Sequence, residues 1–207
     1  MAGLTPSGLA PEASPATRVI HASLSFVEAF MKNRAKLAVL VAILALGGCA
    51  TAPGPENPAP LPKPFILEEA LAGRTSGHGV ITPIVGGETE FDVSINGAWD
   101  GKTLTLIEDF QYPAGNQERK TWRLTKTASG DYFGTREDVV GQAHGFYDGS
   151  AFRLDYEMLI DTPLGKMTSR FRDILYWEND KAIRNNAIVS KIGLRLARLR
   201  LQLAHDG

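Results

Sequence analysis

Two carboxylates fall where the surrounding alternation asks for apolar side chains. Glu108 shares a face with Leu104, Leu106, Phe110 and Tyr112, and Asp173 shares one with Phe171, Leu175 and Trp177. An ionised carboxylate in an apolar interior is costly unless paired, so each needs a cation, a hydroxyl, an indole or a backbone N–H. Arg119, Arg170, Tyr156 and Trp122 are the candidates, although strict alternation sets Arg119 and Trp122 on opposite faces. Two readings stay open. Glu108, Trp122, Tyr156, Asp173 and Trp177 anchor a ligand head group at one end of an apolar cavity, or the carboxylates form a buried network that fixes strand register or sit at an exposed rim. Paired carboxylates can also perform acid/base work. Here no Gly-x-Ser-x-Gly, phosphate-cradling glycine loop or dinucleotide fingerprint accompanies them. His78 and His144 stand singly between small residues, and no His pair has metal-ligand spacing. No catalytic residue, cofactor or metal is expected.

The elements that position these residues read as strands. Phe91, Val93 and Ile95 alternate with polar residues, and so do Phe152, Leu154, Tyr156, Met158 and Ile160. Turn signals such as Asn96-Gly97, Asp100-Gly101, Ser129-Gly130-Asp131 and Asp148-Gly149 separate the runs at intervals too short for crossover helices, so neighbours pair antiparallel. Phe65 to Ala72, between Pro64 and Gly73, reads as one short helix. Residues 192 to 203 fit a helix by Ile192, Leu196, Leu199 and Leu203, or a strand by Leu199, Leu201 and Leu203 with a bulge near Ala197; the strand is preferred. Its arginines read as a solvated face, and glycines 134, 141 and 145 as permitting curvature. Eight to ten strands, each apolar on one side, must hide edges as well as faces, and closure does both. The expected fold is all-β: a single antiparallel up-and-down, lipocalin-like β-barrel over 65–207, with a two-sheet sandwich as the alternative.

The chain of 207 residues carries 22 Lys+Arg against 23 Asp+Glu, with 43% apolar residues. That is globular composition, and its charge balance leaves no footprint for nucleic acid. One cysteine excludes an intramolecular disulfide and thiolate-rich zinc sites. That cysteine, Cys49, closes a distinctive segment. Lys32, Arg34 and Lys36 precede the apolar run Leu37 to Leu46, which is shorter than the ~20 residues of a membrane span but suits a secretory signal. Leu46-Gly47-Gly48-Cys49 resembles the lipobox of bacterial lipoproteins. The resemblance implies acylation of Cys49 after removal of residues 31–48, and the acyl chains give stable membrane anchoring. Ala50, where an Asp would retain the protein at the inner membrane, points to the periplasmic face of the outer membrane. Residues 1–30 read as an extension upstream of a true start at Met31, and 49–64 as a Pro-rich, extended tether.

The barrel region also resembles an uncharacterised proteobacterial lipoprotein family, catalogued as domain of unknown function 3833. The resemblance rests on Gly97-Ala98-Trp99-Asp100-Gly101, Leu104-Thr105-Leu106-x-Glu108-x-Phe110, Arg119-x-x-Trp122-x-Leu124, Val140-Gly141-x-Ala143-x-Gly145, Tyr156 and Asn185-x-x-x-x-Ser190-Lys191-x-Gly193. Where the family shows an acidic pair followed by Trp and Met, this chain has Arg172-Asp173-Ile174-Leu175-Tyr176. The resemblance implies a lipobox lipoprotein with a lipocalin-like barrel and brings no established activity. The expected role is an anchored protein that binds or carries an apolar, lipid-like molecule such as a fatty acyl chain. The alternatives are a structural or accessory envelope protein docking a protein partner, and a lipid-modifying enzyme accessory.

Overall fold

Period-two burial is plain at Phe91, Val93, Ile95 and Gly97 and at Tyr132 and Gly134, while residues 173–177 and 186–190 are buried on both faces. The computed structural model describes residues 61–162 and 165–206; the extension 1–30, the signal 31–48, Cys49 and most of the tether lie outside them. Helix α1 (Leu67–Ala70) precedes ten strands: β1 (Gly73–Pro83), β2 (Thr89–Trp99), β3 (Thr103–Gln111), β4 (Gln117–Lys126), β5 (Tyr132–Thr135), β6 (Val139–Asp148), β7 (Ala151–Thr162), β8 (Gly165–Trp177), β9 (Ala182–Lys191) and β10 (Leu194–His205). Each pairs with its sequence neighbours, and β1 pairs also with β10, closing an up-and-down barrel. The sandwich alternative is thereby excluded. All the pairings are antiparallel, as the short connections require.

The segment 192–203 is strand. The β9–β10 register shifts between Arg195 and Ala197, the bulge expected near Ala197, and past it Ala197, Leu201 and Leu203 share one parity and are buried. The turn before it is unusual. Ile192 has φ 50° and Gly193 φ 77°, the double left-handed geometry of a two-residue hairpin that prefers Asn-Gly. A β-branched residue there is strained by roughly 1–2 kcal/mol.

One barrel end is covered by the segment leading into β1. The helix is shorter than the expected Phe65 to Ala72: Ile66 is extended, with φ −111° and ψ 113°, and the Phe65 N–H donates to the Ser150 carbonyl at 3.0 Å. The Leu67 N–H donates to the Tyr147 hydroxyl at 3.1 Å. Lys126 Nζ and the Tyr132 hydroxyl both donate to the Glu68 carboxylate. Burial alone would raise the Glu68 carboxyl, but these two donors hold it below its ordinary range. Phe65, Leu67, Ala70 and Leu71 are buried in the barrel mouth. Gly97 is required here: a Cβ on it would lie 1.8 Å from the Leu71 carbonyl oxygen.

Candidate functional site

The interior becomes polar where β5 stops. This strand has four residues and pairs with β4 from Arg123 to Lys126, so the first half of β4 continues past it. Beyond Thr135 the Glu137 carboxylate takes over, accepting the Thr121 N–H at 2.9 and 3.1 Å. The inward parity of Tyr132 and Gly134 carries on to Arg136, whose side chain enters the barrel and is 10% exposed.

Arg136 organises what lies around it. Its Nη1 donates to Glu108 Oε2 at 3.1 Å, and its Nε and Nη2 donate to the two Asp138 oxygens at 2.8 and 3.3 Å. Its guanidinium carbon lies 5.0 Å from the Trp122 ring centroid, a cation–π contact in a desolvated setting. Lys120 Nζ stands 3.3 Å from Asp138. Burial pushes the Glu108 carboxyl up, and Arg136 offsets part of that push. Asp138 is drawn down, because Arg136 and Lys120 outweigh its burial.

Across the interior stands a second group. Tyr156 packs edge-on to Trp122 at 5.1 Å and stacks on Phe171 at 5.2 Å. Its hydroxyl reaches Asp173 Oδ2 at 3.5 Å, and Asn185 Nδ2 reaches the same oxygen at 3.4 Å. Both contacts are long. Asp173 Oδ1 and Asn185 Oδ1 are buried and have no hydrogen-bond partner among the described residues. Burial is the main force on Asp173; only partly countered by the Asn185 hydrogen bond and the Arg136 charge, it lifts the carboxyl to about 7. Tyr156 is raised by burial and by the Asp173 charge.

Between the two groups lies a cavity of about 100 Å³. Glu108, Arg136, Tyr156, Asp173 and Asn185 form its polar wall, and leucines from α1, β3, β4, β7, β8 and β10 form much of the rest. Pockets for drug-sized ligands run to about 300–1,000 Å³, so a whole acyl chain does not fit the interior as it stands. No Ser, Thr, Cys, Lys or His is among the described residues lining it. Phe91, Phe110 and Tyr112 cluster toward the end opposite α1, with ring centroids 5.6 and 6.1 Å apart.

Glu108, Trp122, Tyr156 and Asp173 therefore converge, as their strand parity anticipates. Trp177 does not join them. It sits at the covered end, 6.0 Å from the Phe65 ring and 3.8 Å from Lys63 Nζ, because β8 runs four residues beyond Asp173 toward α1. Neither arginine named as a partner serves the interior either. Arg119 pairs with Asp109 and Arg170 with Asp155, both on the outer face. The cation is Arg136, signalled in the sequence only by its parity with Tyr132 and Gly134. Asn185 shares its face with Ile183, Ala187 and Val189, which is the same kind of signal.

A closed ten-stranded up-and-down barrel with a charged cluster set into an apolar interior is a lipocalin-like barrel. The chain belongs to the family described as Protein of unknown function (DUF3833), whose model matches residues 43–205. A search of the curated proteins finds no match. Among solved structures it is similar to Rv2717c from M. tuberculosis, at 15% identity and a TM-score of 0.50, covering 67% of this chain and 94% of that one. It is also similar to the S-type phycobiliprotein lyase CPES from Guillardia theta, at 10% identity and a TM-score of 0.51, covering 68% and 90%. At these identities the likeness is one of fold.

Proposed function

We propose that this barrel binds a small amphipathic, lipid-like molecule in the bacterial cell envelope, with the ligand's polar end against Asp173 and Asn185. The observation that carries the reading is the pair of orphaned acceptors, Asp173 Oδ1 and Asn185 Oδ1, on two residues that line a cavity otherwise walled largely by leucine. Unsatisfied buried acceptors each cost about 1–3 kcal/mol, and a ligand hydroxyl or amine would satisfy them. The cavity volume limits what lies inside to a head group and a few carbons, so a longer acyl tail leads out past Phe110 and Tyr112. Arg136 is bound to two carboxylates and serves to hold Glu108 and the face of Trp122 in place.

The same proposal places the protein on the periplasmic face of the outer membrane, held by acyl chains on Cys49. The family match beginning at residue 43 supports this, since it takes in Leu46-Gly47-Gly48-Cys49. Native mass spectrometry of the full-length protein, extracted from its membrane in mild detergent, tests the reading. The expected result is a bound small molecule of defined mass beyond the Cys49 acyl groups. A stoichiometric protein partner with an empty barrel would overturn it in favour of an accessory role.

A further inference from the structure

A second cleft lies on the outside of the barrel, where β7, β8 and β9 approach the end opposite α1. It has a volume of about 380 Å³ and is lined by Glu157, Thr168, Arg170, Arg172, Ser190 and Lys191, with Ile192 and Gly193 at its rim. The strand registers explain this gathering. Glu157 lies opposite Arg170, Arg170 opposite Ser190, and Ser190 opposite Arg195, giving one outward row across four strands. In the next row Asp155, Arg172, Ile188 and Arg198 follow each other in the same way.

The charges are unevenly satisfied. Arg170 Nη2 donates to Asp155 at 3.0 Å, and Lys191 Nζ donates to the Thr168 carbonyl. Arg172 Nε is buried with no hydrogen-bond partner among the described residues. Three cations against Glu157 and the Asp155 carboxylate already held by Arg170 leave one positive charge over, and with the Ser190 and Thr168 hydroxyls beside them they suit a tetrahedral oxyanion, which guanidinium groups recognise by their forked donors.

The rim of the cleft adds a different signal. Ile192 is 90% exposed and stands in the left-handed conformation, which a β-branched side chain rarely adopts. Nothing in the fold rewards that choice, since Asn or Gly would make the same turn without strain. Ile84 and Val85, 57% and 49% exposed, lie at the same barrel end, where the Ile84 N–H donates to the Leu196 carbonyl at 2.9 Å. Apolar tips beside a basic cleft match the chemistry of a phospholipid surface.

We propose that this cleft binds the phosphate of a phospholipid head group, with Ile192 reaching into the apolar layer beside it. It is separate from the interior site, with no lining residue in common.

The test follows the Arg172 Nε–H and Ile192 methyl signals by NMR in the full-length protein. The probes are sn-glycerol 3-phosphate and dihexanoyl-phosphatidylglycerol, the latter kept below its micelle concentration. The lipid is expected to shift both signals saturably and to bind at least tenfold more tightly than glycerol phosphate, which shifts Arg172 alone. Arg172→Gln, or Arg170→Gln should the first variant fold poorly, is expected to weaken lipid binding at least tenfold. Ile192→Asn should reduce the lipid's affinity to that of glycerol phosphate while raising the melting temperature. No saturable shift at Arg172 with either probe overturns the proposal. Equal affinity for the two probes overturns the lipid assignment and leaves a free-anion site, and an undiminished lipid affinity in Ile192→Asn does the same.

Discussion

Arg136 and Glu108 meet inside the barrel at 3.1 Å, one from the turn after the four-residue β5 and the other from the middle of β3. Their side chains are 10% and 12% exposed. A pair so far out of water contributes most visibly when one member is removed, because the survivor is left charged and desolvated.

Glu108→Ala should therefore lower stability by about 3 kcal/mol, toward the lower end of the ~3–5 kcal/mol typical of broken buried pairs, because Asp138 still holds the guanidinium. Arg136→Leu strands both Glu108 and Asp138 and should cost more. The double variant Glu108→Leu with Arg136→Leu should recover much of the loss. Urea midpoints at unchanged slope are the measurement, and additive losses in the double variant would show that the two residues do not act as a pair.

Asp173 sets a pH dependence whose sign is fixed. Its carboxyl titrates at about 7 in the fold, against roughly 3.9 in an unfolded chain. Between those values the native state keeps a proton that the unfolded state has released. Its contribution to stability is thus fully present below pH ~4 and lost as the pH rises through 7. About three pKa units at ~1.4 kcal/mol each come to on the order of 4 kcal/mol. Asp173→Asn removes this dependence, so its stability relative to wild type should climb between pH 4 and 8 and then level off. A constant difference across that range would contradict the burial argument.

Gly97→Ala tests the covered end of the barrel. The new methyl would collide with the Leu71 backbone carbonyl, 1.8 Å away, and α1 or β2 must move. The expected loss is about 1–3 kcal/mol in the urea midpoint. Gly87→Ala, where nothing lies within 4 Å, should be close to neutral.

Anchoring is tested at Cys49. Cys49→Ser replaces the thiol that thioether formation needs. The precursor should keep its signal, fail to incorporate a fatty-acid analogue and change its electrophoretic mobility. Continued labelling, together with outer-membrane fractionation, would contradict the lipobox reading.

The strands were legible in the sequence because one apolar face leaves a clean period of two, and closure followed from their number and short connections. The same parity placed Glu108, Trp122, Tyr156 and Asp173 inside. It failed for their cation because Arg136-Glu137-Asp138 is charged throughout and follows a strand of four residues, too short to show alternation. Ordinary loop chemistry and an inward arginine look alike in such a stretch. Trp177 has the right parity but the wrong height along the barrel, and height depends on register and on where α1 packs. Neither is written in local alternation. Cavity size was equally hidden, since it depends on how the leucines of six elements interdigitate.

The central claim, that the polar wall of the interior holds a ligand, is tested most directly by comparing ligand occupancy across variants in native mass spectra of the detergent-extracted protein. Wild type and Trp177→Phe, whose change lies away from the cavity, should carry the same bound mass at the same occupancy. Asp173→Leu and Asn185→Leu should each lose it at least tenfold while still folding. Equal occupancy in all four proteins, or no bound mass in any of them, would contradict the account.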